Sequence, residues 1–365
     1  MFEFKLPSLG ADMDEGTLVE WKVKPGEAVH KGQVVAVVDT SKAAIDIEIW
    51  QDGTLQQVLV EPGTKVPVGT VLAMLLALDE SPTAAAAPAP ARQRVSPAAR
   101  KKAQALGVDL AALKGSGPEG SVTLADIEPA AAASAAAPAP ADNRPSDMRQ
   151  AIAAAMSRSN REIPHYYLLE TISLERAWHW LEQENTGRPI TERLLMAVLQ
   201  LKAVALTLKK YPEFNGVYQD GQFKPAAHAH IGVAIALRQG GLIAPALHDV
   251  DSKPLGQLMP ELADLVKRCR AGSLRSSEMS DACITVTNLG DQGVEAVMGV
   301  IYPPQVALVG FGNVAKRPWV DASGGLCVVP TVTASLAADH RVSDGHRGAL
   351  FLAELRECLQ QPQDL

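Results

Sequence analysis

GTLVEWKVKPGEAVHKGQVVAVV, residues 16–38, and GTLQQVLVEPGTKVPVGTVLAML, residues 53–75, are two copies of one pattern. Gly16 and Gly53, Pro25 and Pro62, Gly26 and Gly63, Val29 and Val66, and Gly32 and Gly69 fall in register. Each copy sets short runs of β-branched residues between Pro-Gly turns, the pattern of short strands joined by tight turns. Two similar halves predict a small, pseudo-symmetric β-sandwich over residues 1–80. The link between them, DTSKAAIDIEIWQD (39–52), puts Lys42 at an exposed turn. A lysine in a turn is ordinarily a solvated side chain. Midway between two repeats, on a rigid hairpin tip, it is an accessible attachment point for a swinging group.

Beyond the repeat, two stretches have almost nothing to bury: SPTAAAAPAPARQR (81–94) and PAAAASAAAPAPADNR (129–144). Proline keeps such tracts extended and semi-stiff, so they read as spacers. They leave a short module at 95–128 and a large domain at 145–365. The module is too small for much of a core, which suggests docking rather than chemistry. In it, Ser96 caps a helix starting at Pro97, Gly107 stops that helix, and a second helix starts near Thr123 and Asp126. A generic two-helix spacer knot would look the same.

The totals exclude several classes. The chain has 365 residues, 47% of them apolar, enough for a real core in more than one domain. A net charge of −7 argues against nucleic acid as the main partner, because phosphate binding needs clustered Lys and Arg. No apolar run approaches the roughly 18 residues of a membrane span. The opening MFEFKLPSLG has neither an apolar signal core nor an Arg-rich presequence, so a cytoplasmic bacterial protein is expected. Cys269, Cys283, Cys327 and Cys358 lack the spacing of a zinc site or a disulfide framework, and no metal is expected.

Residues 145–365 alternate helical and strand patterns, as in an α/β layer protein. ITERLLMAVLQLKAVALTLKKYP (190–212) has helical spacing and ends at Pro212; AHIGVAIAL (229–237) and CITVTNLG (283–290) read as strands. CVVPTVTASLAADH (327–340) reads as a long strand delivering His340 at its end, and GHRGALFLAELRECLQQ (345–361) as an amphipathic helix. The tightest constellation is DHRVSDG, Asp339 to Gly345. A lone histidine is usually structural, but one at a strand–helix junction four residues before Asp344 is a stronger candidate. Asp344 also reads as the N-cap of the last helix. The His228/His230 pair has no partner at metal spacing and reads as structural or solvated.

With these residues in view, the first segment resembles a lipoyl domain, which implies lipoic acid in amide linkage on Lys42. Biotin carriers share the sandwich but flank the lysine with methionines; Ser41 and Ala43 stand here, and Ser41 replaces the more frequent acidic residue. The module around GVDLAALKGSGPEG is similar to the peripheral-subunit-binding domain of 2-oxo acid dehydrogenase complexes. That implies docking of the decarboxylase or dihydrolipoamide dehydrogenase component on Arg100 and Lys101, with Gln104 and Ser121 where many members place arginines. The large domain, with DHRVSDG, ITVTNLG, REIPHYYL and GGLIAPAL, resembles the dihydrolipoamide acyltransferases and chloramphenicol acetyltransferase. The resemblance covers nearly the whole chain in the family's order.

It implies an acyl group carried on Lys42 and handed to coenzyme A. A thiol of pKa about 8.5 is mostly protonated near neutrality, and His340 is suited to remove that proton as general base. The family places a serine or threonine hydroxyl against the oxyanion, and Thr287 matches that position. In the family the histidine and the hydroxyl come from neighbouring chains of a trimer, which often joins into a hollow core through an apolar C-terminal knob. The ending LQQPQDL, with Leu365 alone after Pro362, implies a trimer with weakened higher assembly. Acetyl from pyruvate is the default acyl group, with branched-chain acyl second and succinyl third. Two alternatives stay open: a non-catalytic lipoyl-bearing scaffold, against which intact His340, Asp344 and Thr287 argue, and a free-standing acyltransferase, which leaves the first two modules unexplained.

Overall fold

The computed structural model describes residues 1–7, 15–40, 44–76, 144–237, 241–321 and 323–365. The expected docking module at 95–128 and both Ala/Pro tracts up to residue 143 lie outside the described residues.

The N-terminal repeat folds as two facing sheets. One holds β1 (Phe2–Lys5), β8 (Val71–Leu76), β6 (Gly53–Val58) and β3 (Ala28–Val29), in that order. The other runs β5 (Ala44–Glu48), β4 (Val34–Asp39), β2 (Glu15–Trp21) and β7 (Lys65–Pro67). Alternate residues of the strands point inward: Leu18, Val38, Ile45, Ile47, Leu55 and Leu75 are all buried. The repeat is visible in the backbone. Gly26 and Gly63 take φ of +91° and +87°, and Gly32 and Gly69 +83° and +86°, a region in which a Cβ is strained. Gly26 N donates to Leu55 O (2.7 Å), and Gly63 N donates to Leu18 O (2.6 Å), so each half ties its turn to the equivalent leucine of the other.

The C-terminal domain begins with α1 (Arg144–Glu162) and β9 (His165–Ser173), then α2 (Glu175–Thr186) and α3 (Met196–Lys210). A hairpin, β10 (Gly216–Gln219) and β11 (Gln222–Pro225), follows. The short strands β12 (Ile231–Val233), β13 (Ile235–Ala236), β14 (Leu242–Ile243) and β15 (Ala246–Leu247) come next, then α4 (Leu255–Ala271), β16 (Leu274–Arg275) and α5 (Ser276–Ser280). The chain closes with β17 (Ile284–Asn288), β18 (Ala307–Phe311), β19 (Ala315–Val320), β20 (Leu326–Asp339) and α6 (Gly345–Gln360).

The central sheet is mixed and seven-stranded, ordered β15-β12-β17-β18-β20-β19, with β9 paired to β20. β12, β17 and β18 are parallel. As expected of strands covered on both faces, Ile284, Val286, Ala307, Val309 and Phe311 are all buried. β20 is the spine: β9 runs along it from Thr331 to Asp339, while β18 and β19 share its other edge. Helix α6 lies against β9 through Gly348, where a Cβ would come within 2.8 Å of Leu168 and 3.0 Å of Tyr166. Leu365 folds back onto the domain's own core, and Pro362, three residues before it, is buried.

Two expectations shift in detail. The helix expected over 190–212 is a 3-10 turn at Ile190–Glu192 followed by α3. The delay has a cause: the Asn185 side chain donates to Leu194 O (2.9 Å) and accepts from Leu194 N (2.8 Å), holding that residue out of the helix. AHIGVAIAL is two short strands rather than one, because β12 pairs into the main sheet while β13 leaves it to pair β14.

Candidate active site

The long strand β20 does end by delivering His340, and several elements hold the turn that follows. Asp339, the last strand residue, is wholly buried. Its carboxylate accepts from the Arg341 backbone N (2.9 Å), from Arg341 Nε (3.0 Å) and from Arg341 Nη2 (2.6 Å). A charged, bidentate pair of this kind fixes geometry as well as energy. The guanidinium also lies over the Tyr218 ring at 4.1 Å. Between these two anchored neighbours, His340 is exposed, its backbone N donating to Pro164 O (2.9 Å). Tyr166 from β9 meets the imidazole edge-on at 5.3 Å. Its hydroxyl pairs with Ser343 Oγ (2.8 Å), and burial pushes its pKa up.

Asp344 is the N-cap of α6. Its Oδ1 accepts from Arg347 N (2.9 Å), and that bond holds the carboxyl below the usual carboxylate range. The structure therefore gives Asp344 the cap role directly. The neighbouring His165 is locked in one tautomer: Ile301 N donates to Nε2 (3.1 Å), so Nδ1 carries the proton it gives to Ile163 O (2.9 Å).

Thr287 sits elsewhere. It is half-buried on β17, in register with Gly310 of β18. It lines a cavity of about 970 Å³ together with Thr285, Gln305, Tyr302, Arg341 and Met279. That is large enough for an extended ligand. Gly310 is needed here, because a Cβ would come within 2.5 Å of Val297 and 2.6 Å of Ser335 Oγ. After Thr287, the Asn288 side chain donates to Gln200 Oε1 and accepts from Gly290 N, both at 2.8 Å, which fixes the Asn-Leu-Gly turn.

The single chain does not bring Thr287 and His340 together. Thr287 aligns with Gly310, and Gly310 with Ser335 on β20. His340 lies five residues further along, two strands away. At about 3.4 Å per residue and about 4.8 Å per strand, their backbones are roughly 20 Å apart. His340 and Asp344 do not line the cavity.

Lys42 lies outside the described residues, as do Arg100 and Lys101. The strands on either side of that link are described, and Asp39 of β4 pairs in register with Ala44 of β5. The connection carrying the lysine therefore starts and ends on a closed ladder, which suits a presented attachment point. Sequence reasoning quoted Asp339 and Arg341 within DHRVSDG and His165 and Tyr166 within REIPHYYL, but gave none of the four a role. The acid and base at i and i+2 around the histidine were the only local signal.

In the His228/His230 pair, His228 is exposed and His230 is half-buried. His230 Nδ1 accepts from Asp249 N (3.1 Å), and His248 bonds to Asp281 (3.1 Å). Among the described residues no group of three or more His, Cys, Asp or Glu could hold a metal. No described helix is long and apolar enough to cross a membrane. The four cysteines are free, Cys269 and Cys283 buried.

Comparison with known proteins gives three family models in order along the chain. A biotin/lipoyl model described as "Biotin-requiring enzyme" matches residues 2–75, an "e3 binding domain" matches 94–128, and "2-oxoacid dehydrogenases acyltransferase (catalytic domain)" matches 138–365. A curated relative from Zymomonas mobilis is named the dihydrolipoyllysine-residue acetyltransferase component of pyruvate dehydrogenase complex. It is 29% identical, over 99% of this chain and 98% of its own length. Among solved structures, the Azotobacter vinelandii dihydrolipoamide acetyltransferase matches with a TM-score of 0.56 and 28% identity, covering 60% of this chain and 90% of that one. The cubic core of a pyruvate dehydrogenase multienzyme complex matches at 0.55 and 28%, with the same coverage.

Proposed function

This chain belongs to the 2-oxoacid dehydrogenase acyltransferase family, and from that premise we propose that it transfers an acetyl group from a lipoyl arm on Lys42 to coenzyme A, at a site completed by two copies of the chain. The observation that carries the reading is the roughly 20 Å between Thr287 and His340 along the sheet. Each is built into a rigid frame, and neither has the other's chemistry beside it. A second copy that brings its His340 to the mouth of the cavity holding Thr287 makes one complete site. A ring of such contacts closes as a symmetric oligomer, and a trimer is the reading the family supports.

Amide-linked to Lys42, lipoic acid would supply, once its disulfide is reduced and one sulfur acylated, a thioester at the end of a long arm. The residues of the chain do the rest. His340 takes the proton from the coenzyme A sulfur as that sulfur bonds to the acyl carbon, and returns it to the departing thiol sulfur. Thr287 donates a hydrogen bond from its hydroxyl to the thioester carbonyl oxygen as that oxygen gains negative charge. Tyr166 and the Asp339–Arg341 pair hold the imidazole in place. Asp344 caps the helix that follows, and in the solved Azotobacter vinelandii acetyltransferase the residues investigated for a role in the catalytic mechanism are a serine, a histidine and, four positions after the histidine, an asparagine. Thr287, His340 and Asp344 stand in the same order, with the same histidine-to-Asp344 spacing. Arg100 and Lys101 supply the basic docking surface for the decarboxylase and dihydrolipoamide dehydrogenase components.

The test is thioester exchange between free dihydrolipoamide and acetyl-, isobutyryl- or succinyl-CoA. The expected result is exchange with all-or-most preference for acetyl-CoA. Preference for isobutyryl-CoA would reassign the acyl group to the branched-chain class. Absence of exchange with all three would make the chain a scaffold.

A further inference from the structure

We infer that the ledge Leu274–Ser280 of the C-terminal domain is a docking site for the sandwich of the same chain, which it holds by strand addition next to Lys42. β16 pairs in parallel with β5, Leu274 opposite Ile45 and Arg275 opposite Asp46, and so extends the sandwich sheet by one strand. Strand addition joins two bodies through backbone hydrogen bonds and leaves selectivity to the side chains. Here Glu48 N donates to Ser276 Oγ (3.1 Å), and Ser277 donates to the Glu48 carboxylate through Oγ (2.5 Å) and N (3.4 Å). Leu274 is wholly buried, and Met279 packs against the apolar cores of both bodies.

The ledge is built to stay in shape. Gly272, at φ +72°, ends α4 and turns the chain into β16. Glu278 is buried and gripped by both terminal nitrogens of Arg268 at 2.6 Å, and it also accepts from Arg275 N (2.8 Å). An edge strand left open invites pairing with any other strand. A short ledge with two serines aimed at one glutamate narrows that choice to a strand that carries an acid at the right offset.

A two-residue ladder is a weak contact between free partners. The sandwich is tethered, however, and a tether makes docking intramolecular, so a weak, reversible contact is populated without trapping the sandwich. Met279 also lines the cavity that holds Thr287. β5 begins two residues after Lys42. Docking at the ledge thus fixes the start of β5, two residues after Lys42 in sequence, against a segment that also contributes Met279 to the cavity wall; this use of the contact rests on the acyl-transfer reading, while the contact itself does not.

Disulfide trapping in the full-length chain tests it. Cα atoms paired across parallel strands are about 4.8 Å apart, inside the disulfide range of roughly 4.4–6.8 Å. Asp46→Cys with Arg275→Cys should cross-link under mild oxidation at least ten times faster than Gln57→Cys with Arg275→Cys, since Gln57 is on the opposite sheet. The product should be a single chain by mass, with the 46–275 bridge found in the peptides. Adding Ser277→Asp, which sets a second carboxylate against Glu48, should slow the trapping about tenfold. The same substitution alone should slow acylation of the chain's own lipoyl arm by acetyl-CoA several-fold and leave exchange with free dihydrolipoamide unchanged. Equal trapping rates for the two cysteine pairs, or bridges only between chains, would overturn the docking site. If trapping succeeds but no chain exchanges acyl groups, the docking stands and the acyl-transfer reading fails.

Discussion

The buried carboxylate of Asp339 is gripped by Arg341, two residues on, and His340 is the residue between them. The two charged side chains thus fold back on one another beneath the imidazole and fix the backbone that carries it. Removing one partner of such a pair leaves the other charge without compensation. Arg341→Met should destabilise the domain by about 3 kcal/mol, the lower end for a buried pair because the guanidinium is partly exposed. Turnover should fall as well in the folded fraction, since His340 loses its anchor. Thermal denaturation and kcat on the same preparation check both; a variant with unchanged Tm and reduced kcat would show that the pair tunes chemistry rather than position.

Lys42 is expected to be the single lipoylated residue, because the sandwich occurs once and its β4–β5 ladder closes around that turn. Intact-mass analysis of protein made with lipoate should show one lipoyl increment, and Lys42→Arg should abolish it. An increment that survives the substitution would move the attachment elsewhere.

What could be read in the sequence was whatever local chemistry dictates. The glycines at 26, 32, 63 and 69 were visible as a repeat, and all four take the positive φ that their turns require. β20 and α6 were legible from their periodicity, and Asp344 from cap chemistry. The late start of α3 was not, because it depends on Asn185 reaching across to Leu194. Nor was the Arg341 grip, because it requires Asp339 to be buried by β9 and β18. The distance between Thr287 and His340 lies in strand order, which no local pattern encodes.

Asp344 separates capping from chemistry. Asparagine and aspartate cap a helix about equally well, and alanine does not. Asp344→Asn should keep both Tm and most of kcat, whereas Asp344→Ala should lose Tm. A large drop in kcat for Asp344→Asn at unchanged Tm would give the carboxylate charge a direct role in turnover.

Stability should vary with pH through His248 and Asp281. The hydrogen bond to Asp281 raises the His248 pKa. A raised base contributes stability that is complete below its unfolded pKa of about 6.5 and is lost as pH climbs through the folded value. Burial opposes ionisation of Asp281, but bonds from His248 and Ser280 outweigh it and lower that carboxyl. Its contribution is complete above about pH 4 and is lost as pH falls through the lowered value. The pair is therefore worth most between about pH 4 and 6.5. His230, whose pKa is lowered by burial and by His248, works in the opposite direction in acid. His248→Asn should lower Tm at pH 5.5 and leave it nearly unchanged at pH 8.5; an equal loss at both would mean that packing, not charge, holds the pair.

The shared site makes a quantitative prediction about mixed oligomers. His340→Ala removes the general base and should abolish most transfer in a folded chain. Thr287→Val removes one oxyanion donor and should cost about 10²-fold in kcat with a smaller effect on KM, since the charge exists only in the transition state. If each site takes its histidine from one chain and its hydroxyl from the next, denaturing and refolding the two variants together rebuilds intact sites. A site is intact when a Thr287→Val chain supplies the histidine and a His340→Ala chain supplies the hydroxyl. With equal amounts and random assembly into a closed ring, about one site in four meets that condition. The mixture should therefore regain about a quarter of wild-type activity, far above either parent. Activity that stays at the average of the two parents would place both groups of each site in one chain. In that case the roughly 20 Å of sheet between them would have to be closed by a rearrangement within the domain.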